Sequence, residues 1–169
     1  LRNAVHFLLL AFLFIAVSYG CDGNAGVNAP NGGGGDAAVN ETQYEADVWN
    51  IVNEERAKLG YDSLTRDPEL DAVAFAHSEA MRNEGRIFHE GGPDGTLSGR
   101  LGTAGIIYTT AGENVAYGQS TPESVMNAWM NSPNHRANIL NPVFTHVGIG
   151  LATPGNYWTQ VFIQKSASR

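Results

Sequence analysis

FTHVGIGLATPGNYWTQVFIQ, Phe144–Gln164, is the stretch that decides the fold class. Its two halves, FTHVGIGLAT and YWTQVFIQ, alternate or run apolar with β-branched and aromatic residues, and the PGN between them is turn chemistry. The pattern predicts a β-hairpin.

Upstream, the periodicity changes. In QYEADVWNIVNEERAKLG, Gln43–Gly60, the residues Val48, Ile51, Val52 and Leu59 fall at helical spacing, and Gly60 is a natural stop. Asp67 and Pro68 supply an N-cap and a proline at the first helical position, after which Leu70, Val73, Ala74, Ala76, Ala80 and Met81 extend an apolar face towards Gly85. Thr121 and Pro122 repeat that signature ahead of Val125, Met126 and Trp129, and Pro133 stops this helix and can begin another, NHRANIL. Between these helices, HEGGPDGTLSGRLGTAG (His89–Gly105) is glycine-rich loop, with a turn at Pro93–Gly95 and a short helix around Leu97–Leu101. Helices followed by strands favour an α+β fold, an antiparallel sheet covered by helices, over a βαβ alternation with a parallel sheet.

Length and composition bound the function classes. At 169 residues the chain has the size of one domain plus a signal segment and a tail. Apolar residues make up 43% and charged ones 16%, enough to bury a core. A net charge of −7 and a pI near 5.1, with no cluster of Lys and Arg, exclude phosphate recognition, so nucleic acid is not an expected partner.

The N-terminal region reads as an export device. Arg2 precedes the apolar run VHFLLLAFLFIAV, Val5–Val17, which is short for a bilayer span and has the length of a signal-peptide core, so residues 1–20 are expected to be a signal peptide. Cys21, the single cysteine, follows Ser18 and Gly20 and resembles the lipidated cysteine of a bacterial lipobox, although Ser18 stands where that motif carries Leu or a similar residue. Lipidation would make the membrane a partner through the N-terminus; plain secretory cleavage is the alternative. Both place the domain outside the cytoplasm. Residues 21–42 are dominated by Gly, Asn and Ala and read as a tether, and the domain is expected over residues 43–165. With one cysteine there is no internal disulfide, so packing alone must hold this domain.

Of the five histidines, His6 lies in the signal, His77 sits on the second helix's apolar face as a core or half-buried residue making one hydrogen bond, and His146 belongs to the first hairpin strand. His89, in RIFHEGG, and His135, in SPNHRANIL, remain as chemistry-bearing positions. Between them stands AGENVAYG, whose Gly-Glu-Asn tripeptide is a combination common in loops. Trp129, Trp158 and Phe162 are expected in the core.

FHEGG after the helix AFAHSEAM, then GENVAYG, AWMNSPNHRANIL, FTHVGIGLA and YWTQVFIQ occur in the order and spacing of the CAP superfamily. This is the SCP domain of cysteine-rich secretory proteins, antigen 5 and pathogenesis-related proteins. The resemblance covers Gln43–Gln164 and is nearest the bacterial branch, whose members are exported, lack the disulfides and carry SPxHR. It implies an α-β-α sandwich with a central antiparallel sheet and a cleft lined by two histidines and two glutamates, which in some members holds a divalent metal. Carried over, His89 matches the first histidine and Glu113 the glutamate of Gly-Glu-Asn. Tyr157 occupies the place of the eukaryotic second histidine, the second glutamate has no clear equivalent, and His135 resembles the bacterial branch's substitute. Tyr108 and Tyr117 flank Glu113 and, with Tyr157, are expected in the cleft wall.

His89, Glu113 and His135 then offer two nitrogens and one oxygen, the ligand set of an open Zn²⁺ site, or of another divalent metal, with water in the fourth position. The same groups can instead form a hydrogen-bonded cluster that ties loops together. His135 at a helix N-terminus is expected to have a depressed pKa, Arg136 to pair with a carboxylate, and Ser132 to cap the following turn. The function expected is an exported or envelope-anchored domain whose cleft binds a metal or a small ligand, lipid or cell-wall component. The alternatives are a metal-assisted hydrolase acting on peptide or cell-wall material, for which no nucleophile is arranged by spacing, and a purely structural or interaction domain.

Overall fold

The computed structural model describes residues 40–166; the expected signal segment, Cys21 and nearly all of the tether lie outside the described residues. The elements in chain order are α1 (Glu41–Ala57), β1 (Thr65–Arg66), α2 (Pro68–Glu84), α3 (Leu97–Thr103), β2 (Tyr108–Tyr117), α4 (Pro122–Asn131), α5 (Pro133–Ile139), β3 (His146–Ala152) and β4 (Tyr157–Lys165). Local chemistry sets the helix starts. Asn40, Asp67, Thr96 and Thr121 each accept a backbone N–H in the first turn, and Thr121 with Ser124 completes a capping box. Gly85 closes α2 in the left-handed conformation that favours glycine.

The four strands lie in the order β1-β3-β4-β2. The expected hairpin forms, with β4 antiparallel to β3 on one side and to β2 on the other. A two-residue β1 adds a parallel edge beside β3, so the sheet is mixed rather than wholly antiparallel. The Gly-Glu-Asn tripeptide, a combination common in loops, lies here within the ten-residue strand β2.

Helices cover both faces of the sheet, giving an α+β sandwich. Val147, Ile149, Leu151, Trp158 and Phe162 meet Val48 and Val52 of α1 and Val125, Met126 and Trp129 of α4 on one face. On the other, Val161 and Ile163 meet Leu70, Val73 and Ala74 of α2 and Leu101 of α3. All three expected core aromatics, Trp129, Trp158 and Phe162, are buried.

Helix α2 lies against β3 because two glycines let it. A Cβ on Gly148 would stand 2.1 Å from the Leu70 carbonyl carbon, and one on Gly150 2.2 Å from the Phe75 nitrogen, so the helix backbone occupies the space where side chains would be. Beyond β1, the edge of β3 is closed by carboxylates. The N–H groups of Ile149, Leu151 and Thr153 donate to Asp71 (2.8 Å), Glu45 (3.1 Å) and Glu41 (3.2 Å), which consumes the donors of an otherwise open strand edge. Buried Arg56 fastens α1 to the end of α5 by donating to the carbonyls of Ile139 and Asn141, both at 2.8 Å. Among the described residues no helix is long and apolar enough to cross a membrane.

Candidate functional site

Glu113 pairs in register with Val161, so its side chain emerges on the α2 face of the sheet, where it is 4% exposed. A carboxylate buried this far must be paired, and it is. Oε2 accepts from the Arg100 guanidinium of α3, and Oε1 lies 3.0 Å from His89 Nδ1 and 3.6 Å from His77 Nε2. His77, fully buried on α2, places Nδ1 2.5 Å from Asp94 Oδ2 and Nε2 2.9 Å from the Phe88 carbonyl. Arg100 in turn donates to the Gly95 carbonyl at 3.1 Å and stands 3.5 Å from Asp94. The result is a buried polar network, Asp94–His77–Glu113–Arg100, from which His89 reaches solvent with 52% of its side chain exposed.

FHEGG sets His89 through its neighbours. Phe88 is buried edge-on to the His77 ring, with centroids 5.2 Å apart, and packs with Met81, Val115 and Tyr157. A Cβ on Gly92 would fall 1.9 Å from the Phe88 ring, so only glycine lets the loop fold over that plug. With Phe88 fixed inward, the next side chain turns towards Glu113.

His135 arrives by a separate route. Helix α5 is latched to β2 by asparagines: Asn138 donates to the Glu113 carbonyl (3.1 Å) and to Asn114 Oδ1 (2.9 Å), and Asn114 donates to the His135 carbonyl (3.1 Å). The Glu-Asn pair on β2 therefore splits its work across the sheet, with Glu113 on the α2 face and Asn114 on the α5 face. The His135 ring makes no hydrogen bond among the described residues, and it lies close enough to His89 for the two to interact electrostatically. Of the three expected ligands, the structure joins His89 to Glu113 directly and brings His135 near without contact to Glu113.

The imidazoles are pushed in opposite directions. Hydrogen bonding to Glu113 raises the His89 pKa, against a smaller opposing effect of burial. Burial lowers that of His135, and the charge of His89 lowers it further; the helix N-terminus is not needed to explain the direction. Of the two rings, His89 is thus the one that holds a proton more readily. Pairing of His89 contributes stability that is complete below the ordinary histidine pKa and lost as pH rises through its folded value, whereas His135 withdraws stability as pH falls below the ordinary value. Ring NMR titration is expected to find His89 titrating above His135, and Glu113→Gln to bring the His89 midpoint down; an unchanged midpoint would contradict the contact.

The three tyrosines expected in the cleft wall stand at strand ends, Tyr108 and Tyr117 on β2 and Tyr157 on β4. Tyr108 packs against the cluster of α2 and α3, while Tyr117 and Tyr157 pair at the opposite end of β2 with ring centroids 4.6 Å apart. None of the three hydrogen-bonds to His89, Glu113 or His135 among the described residues. Arg136 forms no ion pair among the described residues, being exposed on the outer side of α5, and Ser132 makes no side-chain cap. Arg100, Asp94 and the second contact of His77 were not legible as site features. The one signal was a histidine within an apolar stripe, which demands partners without naming them.

The Glu113 oxygens bear on the metal. Both already face donors, one of them a guanidinium, and among the described residues no three His, Cys, Asp or Glu side chains converge as metal ligands do. The set His89–Glu113–His135 does not fit a divalent ion in this arrangement.

Comparison with known proteins places the chain. The family described as CAP, the Cysteine-rich secretory protein family, matches residues 49–165. YkwD of Bacillus subtilis (strain 168), an uncharacterized protein, is 46% identical over 122 residues, which is 72% of this chain and 48% of YkwD. An extracellular protein containing a SCP domain from Bacillus anthracis, solved by crystallography, is 31% identical with a TM-score of 0.71, over 74% of this chain and 41% of that one. An outer surface protein of Borrelia burgdorferi shares the fold at 21% identity and a TM-score of 0.69, over 73% of this chain and 94% of that one. The chain spans less than half the length of the two Bacillus proteins. The motif order, the sandwich and these likenesses agree, and the chain belongs to the CAP family.

Proposed function

We propose that this is an extracytoplasmic binding domain whose cleft takes a small polar ligand through the His89 imidazole, with His135 as the second contact. The observation that carries it is a half-exposed imidazole held at 3.0 Å by a buried carboxylate, itself neutralised by Arg100. Glu113 fixes Nδ1 of the ring, which leaves Nε2 to meet a ligand, the role a buried carboxylate plays behind an exposed histidine. Burial disfavours a proton on His135, so its ring can offer a hydrogen-bond acceptor. The export reading rests on the apolar run Val5–Val17 and on relatives described as extracellular and outer-surface.

A hydrolase has less support. Ser78 is buried and engaged with Thr159 Oγ1 and the Gly150 carbonyl, and no serine hydrogen-bonds His89 or His135 among the described residues. The test is NMR titration of the protein with soluble peptidoglycan fragments and, separately, with zinc chloride. A cell-wall fragment is expected to shift resonances around His89 and His135, with affinity falling about tenfold or more in His89→Ala, the loss of one charge-assisted hydrogen bond. Binding indifferent to both histidines would overturn the proposal, and turnover that depends on Glu113 would replace it with the hydrolase.

A further inference from the structure

Arg136, whose charge calls for a carboxylate, is exposed on α5 and makes no ion pair among the described residues. It lines a hollow of about 560 Å³ between the end of α4 and α5, within the size range of small-molecule sites. Met130, Ala137 and Leu140 give the hollow apolar walls, and Arg136 is the only charged side chain among its described lining residues. Beside apolar surface a charge acts through a lower effective dielectric than in open water, and the planar guanidinium fork fits a carboxylate in two parallel hydrogen bonds. A single cation suits a monoanion. A phosphate dianion would meet one arginine on a chain of net charge −7.

Two asparagines of the same wall add direction. Asn131 commits its amide nitrogen to Asn127 Oδ1 at 2.9 Å, which leaves its own Oδ1 to accept. Asn141 commits Oδ1 to the Val143 N–H at 3.0 Å, which leaves Nδ2 to donate. The floor is held in place from behind, because buried Arg56 donates to the carbonyls of Ile139 and Asn141. The hollow therefore offers a cation, a donor and an acceptor around apolar surface. The end of a peptide chain carries the matching set: a carboxylate, the N–H of the last peptide bond and, where the residues are small and apolar, side chains that fit beside them.

We propose that the hollow between α4 and α5 binds the C-terminal end of a peptide with small apolar residues. Its carboxylate accepts from the Arg136 guanidinium and Asn141 Nδ2, its last N–H donates to Asn131 Oδ1, and its side chains lie against Met130, Ala137 and Leu140. The site is separate from the His89 cleft and does not rest on it: Arg136 stands on the outer side of α5, whereas the His135 ring lies near His89.

N-Acetyl-alanyl-alanine is the probe, followed by ¹H–¹⁵N NMR of the protein. Millimolar binding is expected for so small a ligand, with shifts at the Arg136 Nε–H and at Ala137, Leu140 and Asn141. The C-terminal carboxamide of the same dipeptide, which lacks the charge, is expected to bind about tenfold more weakly, the value of a charge-assisted hydrogen bond. Arg136→Gln, a change at an exposed position, is expected to lose binding by the same factor, and Arg136→Lys to recover part of it as a point charge without the fork. The D,D and L,L forms are titrated separately: either one binding supports the site, and preference for D,D assigns it to cell-wall peptide, preference for L,L to the end of a protein chain. Absence of shifts with both forms, equal binding of acid and carboxamide, binding untouched by Arg136→Gln, or shifts centred on His89 and Glu113 overturns the proposal.

Discussion

Gly150→Ala is expected to cost about 3 kcal/mol or more, the upper range for overpacking a core and a large share of the about 5–15 kcal/mol that ordinarily holds a domain together. The added Cβ would meet the Phe75 nitrogen at 2.2 Å and the Ala74 carbonyl carbon at 2.4 Å. These are backbone atoms inside a 17-residue helix, so no side chain can swing aside, and α2 itself must lift from β3. Lifting it separates Leu70, Val73 and Ala74 from Val161 and Ile163 and carries His77 away from Glu113. Gly148→Ala repeats the insult at Leu70. Gly102→Ala, by contrast, meets nothing within 4 Å on a helix and is expected to be neutral or to stabilise by up to about 1 kcal/mol. Thermal denaturation of the three variants checks the contrast; a Gly150→Ala protein melting with the unmodified one would refute the close approach.

Arg100→Ala is expected to cost about 3–5 kcal/mol, because it leaves a buried carboxylate without its cation. The side chains of Arg100 and Glu113 are 6% and 4% exposed, so solvent does little to soften the loss. Burying the pair was itself expensive, and its removal as a unit should be far milder: Arg100→Met combined with Glu113→Leu is expected to recover most of the stability while abolishing the hold on His89. Denaturant unfolding of single and double variants measures the coupling. Additive losses would show that the two groups do not depend on each other.

The sequence announced those elements whose signals are local. Asp67-Pro68 and Thr121-Pro122 started their helices where capping chemistry dictates, and FTHVGIGLAT with YWTQVFIQ formed the hairpin their alternation describes. Strand β2 was hidden because its middle does the site's work. Gly112, Glu113 and Asn114 interrupt any apolar alternation, and their partners, Arg100, His89 and Asn138, come from three other segments. Arg100 gave no warning inside LSGRLG, since one arginine in a glycine-rich loop reads as solvated. His77 was legible as buried, but Asp94 and Glu113 reach it only through tertiary packing. β1, at two residues, is too short for any periodicity to reveal.

The proposed function requires His89 and His135, distant in sequence, to share one cleft. The direct measurement is the pKa of His135 by ring NMR in the unmodified protein and in His89→Ala. Removing the neighbouring charge is expected to raise it towards the ordinary histidine value, with burial still holding it below; a His135 titration identical in both proteins would mean the two imidazoles do not face the same hollow.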